Sequence, residues 1–432
     1  MLQKLKTQIN ESPMTRAQYF AVAICFLMNI LDGMDVLIIS YCAPVISKSW
    51  NLQPEALGIV FSGGLIGMAV GALFLAPFAD TIGRKKVIII SSVLMGISML
   101  LTAYSQNITS LVAFRFLSGI GIGSMLASTA ALTSEFTPNK SKDFWVSFVI
   151  SGYPVGAVIS GYIAVIIIPY AGWQSMFVIA GLSSLVTVPL IYFFLFESIE
   201  FYLKKQPINA LKKVNKILIK MNLTVLKKMP ETTPQAADAP LKKLLSNKYK
   251  TSTLQLWTAL FFSFSCLYFL ISWIPKLVTN AGLSIELGIY AGTVFNIGAF
   301  FGIVLQGYFS SKFGLKKTIS TFFLLTAVLM LIFKIFIGTD LLLIVFGFLG
   351  FFIQGGFVGL YAVATRVYPA EFRTTGVGWA IGAGRFGGII GPLAGGVLVG
   401  LGFSISINFM IFAWPALMAA LFTYFISSKE VS

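Results

Sequence analysis

Histidine is absent from all 432 residues, which removes the commonest catalytic base and metal ligand. Any proton relay here has to use Asp, Glu, Tyr or water. Cysteine is scarce. Cys25, Cys42 and Cys266 form no CxxC pair and fall in or beside apolar runs, so they read as small core residues. Charge is scarce too, at 11% of residues, where a soluble domain carries about 25%. There is no HExxH, no nucleophile elbow and no metal-ligand cluster, so neither an enzyme nor a metal or cofactor site is expected. The first twenty residues lack an h-region and a small-residue cleavage site, so no signal peptide is expected.

What is abundant is apolar sequence, 57% of the chain. A membrane span needs about 20 apolar residues, and twelve runs meet that length. They cover 18–43, 56–79, 86–105, 108–133, 143–166 and 173–196, then 253–278, 287–310, 316–337, 340–365, 375–400 and 403–426. The expected fold class is therefore an all-α membrane protein with twelve transmembrane helices in two six-helix bundles. The N-terminal bundle is 18–196 and the C-terminal bundle 253–426, joined by a polar linker, 197–252, that holds twelve lysines. The tails are 1–17 and 427–432. With tails and linker on one side, that side holds 26 of the 31 basic residues; Lys48, Lys276 and Lys334 lie opposite, and Arg115 and Arg385 lie within spans. This bias places both termini in the cytoplasm of a cell with an inner (plasma) membrane. It also explains the net charge of +16 without nucleic acid, since the basic residues sit between spans, facing anionic lipid.

The two halves repeat. The connection after the second span reads Ala76-Pro-Phe-Ala-Asp80-Thr-Ile-Gly83-Arg84-Lys85-Lys86, and the one after the eighth reads Gly307-Tyr-Phe-Ser-Ser311-Lys312-Phe-Gly314-Leu-Lys316-Lys317. The glycine and the basic cluster recur at equal offsets, the layout of two parallel transporter repeats. These loops resemble the signature loop of the major facilitator superfamily, roughly G-x-x-x-D-R-x-G-R-R. Ala76, Thr81 and, in the second copy, Ser311 depart from it. Leu31-Asp32-Gly33-Met34-Asp35 in span 1 resembles the D-G-x-D motif of the aromatic acid:proton symporters. Arg115-Phe-Leu-Ser-Gly119 in span 4, Tyr268-Phe-Leu-Ile-Ser272-Trp273 in span 7, Tyr368-Pro-Ala-Glu371-Phe-Arg373 and Gly384-Arg385-Phe-Gly387-Gly388 extend the likeness to span 11. The resemblance implies a proton-coupled importer of a small aromatic carboxylate that works by alternating access. Its partners would be that substrate, protons and the bilayer, with a monomer expected. It also implies that Asp80 and Arg84, with Arg373 in the later loop, tie helix ends on the cytoplasmic side.

Ionisable residues inside spans are costly and are functional candidates by default. Asp32 and Asp35 share a helix face. Asp32 lies about 21 Å into its span. Two carboxylates so close in a low dielectric do not both ionise cheaply, so one is expected to hold a proton. Both are candidates for proton coupling; the alternative is a structural role beside Gly33. Arg115 lies about 10 Å from the outer face, at the depth of Asp35, so the two can pair; the alternative is that Arg115 forms part of the substrate path. Arg385 is near the midplane of span 11, and the C-terminal half has no acid at that depth. It suits a substrate carboxylate, or pairs with Asp32 across the halves. Tyr268, Trp273, Gln354, Tyr361 and Asn296 are polar or aromatic at similar depth and are candidates to line a ring site. Glu135 ends span 4 and is expected either to pair with loop cations such as Arg84 as a gate element or to be a simple solvated helix end. A non-aromatic organic acid, a nicotinate-like compound or a sugar is the alternative substrate.

Overall fold

The computed structural model describes residues 12–138, 140–229, 241–368 and 373–426, without the side chains of 143, 241, 242, 373 and 374. The expected tails at 1–11 and 427–432, part of the linker, Glu371 and the side chain of Arg373 lie outside the described residues.

Among the described residues, ten helices are long and apolar enough to cross a membrane; one of them holds two of the twelve runs, and a further run forms a shorter helix of 17 residues. In chain order the helices are α1 (Arg16–Ser49), α2 (Pro54–Ile82), α3 (Arg84–Ala103) and α4 (Ile108–Phe136), then α5 and α6 as two arms within Phe144–Phe194. After the linker come α7 (Lys250–Asn280), α8 (Ile285–Phe313), α9 (Leu315–Leu331), α10 (Leu342–Val367), α11 (Arg373–Gly400) and α12 (Ile405–Phe425). The boundary between α5 and α6 is Gly172, whose φ of 73° and ψ of 172° break an otherwise continuous helix just after Pro169. The repeat seen in the sequence is built into the backbone. Gly83 turns the chain from α2 to α3 with φ 108° and ψ 145°, and Gly314 does so from α8 to α9 with φ 90° and ψ 141°. Those left-handed values favour glycine, which is why it recurs at this offset.

Close helix contact repeats as well. In the first half, Gly67 and Gly71 of α2 lie on the backbone carbonyls of Phe116 and Ile120 of α4. In the second, Gly298 and Gly302 of α8 lie on those of Gly347 and Phe351 of α10. Without a hydrophobic drive between helices in lipid, such small-residue contacts supply the packing. The halves meet along α1–α7, α2–α11 and α5–α8. Hydrogen bonds join them where Ser40 donates to the carbonyls of Ile271 and Ser272, Ser62 to that of Ile389, and Lys276 Nζ to Ser47 Oγ. Each lies in the half of the spans away from the linker. Gly58 of α2 against Pro392 of α11 closes the same end.

On the linker face, the helices Ile199–Lys205 and Ala210–Lys220 follow α6. Ala210–Lys220 is amphipathic: Ala210, Val214, Ile217 and Leu218 are buried, while Lys212, Lys213, Lys216 and Lys220 are not.

Candidate functional site

Asp32 and Asp35 sit side by side on α1 and have different surroundings. Both are about 1% exposed. Asp35 accepts a hydrogen bond from Arg115 Nη1 at 2.5 Å and one from Ser118 Oγ at 3.3 Å. It is thus paired with the α4 arginine at matching depth, which offsets the cost of burying either charge alone. Arg115 also points Nη1 at Met99 Sδ, 3.3 Å away. Asp32 has no such partner. Neither of its oxygens accepts a hydrogen bond among the described residues. Arg385 does not reach it, so the cross-half pair open from sequence is not formed here.

Arg385 projects from α11 into a cavity lined by Leu65, Phe264, Tyr268 and Gly388. It is half-buried, and no acidic group pairs with it among the described residues. A second cavity, lined by Val36, Ser40, Phe61, Arg115, Tyr268 and Ser272 among others, shares Leu65 and Tyr268 with the first. The two arginines therefore face one region between the halves, Arg115 already neutralised and Arg385 free. Aromatic rings run beside Arg385. Tyr268 stacks on Phe264 (5.8 Å between centroids), Phe264 meets Phe357 edge-on (4.7 Å), and Phe357 meets Tyr361 edge-on (5.4 Å). A guanidinium among ring faces can take a planar carboxylate and the ring attached to it.

Other expected lining residues lie elsewhere. Trp273 is fully buried; its Nε1–H donates to the carbonyl of Pro392 at 3.0 Å and its ring meets Phe61 edge-on. A buried indole needs such a partner, and here it is found in packing between α7 and α11. Asn296 is buried in α8 and donates to the carbonyl of Gly292 at 2.8 Å. Gln354 is buried in α10. Neither borders the two cavities.

At the linker face, Arg84 and Glu135 form a salt bridge, and Ser198 Oγ donates to Glu135 Oε2 at 2.5 Å. This network ties α3, α4 and the start of the linker within one half. Asp80, expected to bind cations or cap a helix here, is exposed and makes no side-chain hydrogen bond among the described residues. Glu197 takes the capping role. Its Oε1 accepts from the backbone N–H of Lys85 at 3.0 Å and of Ser198 at 2.9 Å. The reason is the turn at Gly83: a Cβ there would collide with the Glu197 carboxylate, so the turn leaves room for that anion at the N-terminus of α3.

Sequence reasoning missed Phe264, Phe357, Glu197 and Ser198. The first two lie one helical turn before Tyr268 and Tyr361, which is a usable signal. The acid at 197, just after the last apolar residue of the first half, is another.

Membrane-length helices in two glycine-interlocked repeats, with buried charges facing a cavity between them, have the build of a multi-pass membrane transporter. The chain belongs to the Major Facilitator Superfamily, whose family model matches residues 25–306 and 288–432. It is 32% identical over 424 residues to a gallate transporter of Pseudomonas putida, covering 96% of this chain and 93% of that one. It is 33% identical over 421 residues to the 4-hydroxybenzoate transporter PcaK of Acinetobacter baylyi, covering 96% and 92%. Among solved structures it superposes on a D-xylose-proton symporter with a TM-score of 0.75, at 17% identity, over 95% of this chain and 98% of that one. A partially occluded inward-open structure of the xylose transporter XylE from E. coli gives the same TM-score, identity and coverage.

Proposed function

We propose that this protein imports a small aromatic carboxylate, of the benzoate or hydroxybenzoate type, together with protons. The observation that carries the reading is the contrast between the two arginines: Arg115 is neutralised by Asp35, and Arg385 borders the neighbouring cavity with no acid bonded to it among the described residues. A free guanidinium beside Phe264, Tyr268 and Tyr361 has the chemistry to hold a carboxylate and its ring. The relatives named for gallate and 4-hydroxybenzoate transport support this substrate class, as does a benzoate transport protein of Acinetobacter baylyi, 29% identical over 98% of this chain and 92% of that one.

Asp32 supplies the proton site in this reading. An ionised carboxylate buried without partners is costly, so taking up or releasing a proton there shifts the balance between conformations. The linker face is cytoplasmic, on the strength of its excess of lysine and arginine. The contacts of Ser40, Ser62 and Gly58 between the halves then lie toward the outer end. Import begins when the far end opens: Asp32 takes a proton, the carboxylate docks on Arg385, the halves rock, and the more alkaline cytoplasm removes the proton.

The test is uptake of labelled 4-hydroxybenzoate into proteoliposomes, with and without an imposed inward proton gradient. Accumulation above equilibrium that an ionophore abolishes is the expected result. Gradient-driven uptake of a sugar or an aliphatic acid in its place would overturn the substrate class. A relative named as a niacin transporter, 28% identical over 90% of this chain and 89% of that one, makes nicotinate the first alternative in the panel.

A further inference from the structure

The Asp35–Arg115 pair is made by one atom on each side. Arg115 Nη1 donates to Asp35 Oδ1 at 2.5 Å, and Ser118 Oγ donates to that same oxygen at 3.3 Å. The other edge of each group is left over. Arg115 Nε and Asp35 Oδ2 are buried and have no hydrogen-bond partner among the described residues. Buried polar atoms are ordinarily satisfied, so a free donor and a free acceptor on one ion pair call for an explanation. Covalent geometry keeps the two together. Nε shares a planar guanidinium with Nη1, Oδ2 shares a carboxylate with Oδ1, and both flank the one bond that is made.

Arg115 lines the larger of the two cavities, with Ser40, Phe61, Gly64, Tyr268 and Ser272 around it. Gly64 of α2 is the neighbour on the Nε side. A Cβ there would lie 3.6 Å from Arg115 Nη2 and 3.9 Å from Nε, so glycine leaves that edge of the guanidinium uncovered by a side chain. Leu65 and Tyr268 also line the Arg385 cavity, so the two arginines border cavities that share a wall.

We propose that the free edge of the Asp35–Arg115 pair is a second substrate subsite, which binds a hydroxyl on the ring of the aromatic carboxylate. The inference rests on the proposed function above and narrows its substrate class to hydroxylated rings. A hydroxyl has one O–H donor and two lone pairs. It accepts from Arg115 Nε–H and donates to Asp35 Oδ2, so one atom answers both unpaired groups. A carboxylate at the same place has acceptors only and meets the like charge of Asp35. Arg385, with no acid bonded to it among the described residues, takes that group instead. The two arginines thereby sort the two ends of one substrate: a bare guanidinium for the carboxylate, an ion pair for the hydroxyl.

The test is calorimetric binding to the full chain in detergent, with benzoate, the three hydroxybenzoates and the methyl ether of whichever isomer binds best. At least one hydroxybenzoate should bind roughly 10- to 150-fold tighter than benzoate, the range for a hydrogen bond to a charged group. Its methyl ether, which accepts but does not donate, should lose most of that advantage. Arg115→Lys keeps a cation beside Asp35 and removes the Nε–H. Gly64→Ser sets a hydroxyl of the chain's own beside that N–H, and its Cβ meets Arg115 only at ordinary contact distances, which keeps the test open should Arg115→Lys not fold. In both, the ratio of hydroxybenzoate to benzoate affinity should collapse toward one. Equal affinity of the wild type for benzoate and all three hydroxybenzoates overturns the subsite, and so does the full wild-type preference in a variant that folds. A methyl ether that binds as tightly as its phenol overturns the donation to Asp35. Binding of none of these acids is a separate result, and it brings down the proposed function itself.

Discussion

Two arginines lie inside the membrane spans, and the structure predicts opposite consequences for removing them. Arg115 is about 3% exposed and bonded to Asp35 at 2.5 Å. Arg115→Gln leaves a buried carboxylate without its cation, a class of change that costs about 3–5 kcal/mol of stability. Arg385 is half-buried and has no acidic partner among the described residues, so Arg385→Gln strands no charge. Its fold should tolerate the change or gain slightly. Binding should reverse the order. A substrate carboxylate that loses its buried cation forfeits about 2–5 kcal/mol. That is roughly 30-fold to several thousand-fold in affinity. Arg385→Lys should recover part of it, because a point charge lacks the two-pronged geometry of guanidinium. The assays are thermal unfolding in detergent and calorimetric binding of 4-hydroxybenzoate on the same preparations. Equal destabilisation by the two substitutions would show that Arg385 is structural. Wild-type affinity in Arg385→Gln would show that the carboxylate docks elsewhere.

Other outcomes follow from single contacts. Gly67→Leu and Gly302→Leu each drive a Cβ into a backbone carbonyl of the facing helix and should destabilise by about 1–3 kcal/mol; Gly307→Leu, with open space at that position, should not, and equal melting temperatures for all three would refute the interlock. Trp273→Phe loses the bond to the Pro392 carbonyl and should cost about 0.5–1.5 kcal/mol without changing substrate affinity. A large affinity loss at unchanged stability would return Trp273 to the ring site. Burial holds the Glu197 carboxyl above the ordinary carboxylate range, against the pull of its backbone hydrogen bonds from Lys85 and Ser198. A carboxyl that binds its proton more tightly when folded favours the fold below its unfolded pKa of about 4.3. That contribution is lost as pH rises through the folded value. Glu197→Gln should flatten this slope in a pH series of melting temperatures, and an unchanged slope would assign it to another group.

What the sequence made legible was depth, and what it hid was direction around each helix. Helix rise is fixed, so counting residues from a span's end put Asp35 and Arg115 at one level, and they are bonded. Tyr268 and Trp273 lie within about 8 Å of depth on one span, but those two residues point to different neighbours: Tyr268 into the cavities, Trp273 into α11. Rotation about the helix axis is decided by packing partners, which a single sequence does not show. Phe264 and Phe357 were hidden for a different reason, being two among 40 phenylalanines. Glu197 depends on the chain returning from α6 to the start of α3, a contact between residues more than a hundred positions apart. Charge inside the membrane escapes this blindness. An unpaired intramembrane charge is so costly that it must find a partner, and the absence of an acid at its depth in its own half is visible from sequence alone. Arg385 was singled out that way, and the structure leaves it facing a cavity with no acid bonded to it among the described residues. A half-buried guanidinium left without an acid in this way is the group to which the proposed function assigns the substrate carboxylate.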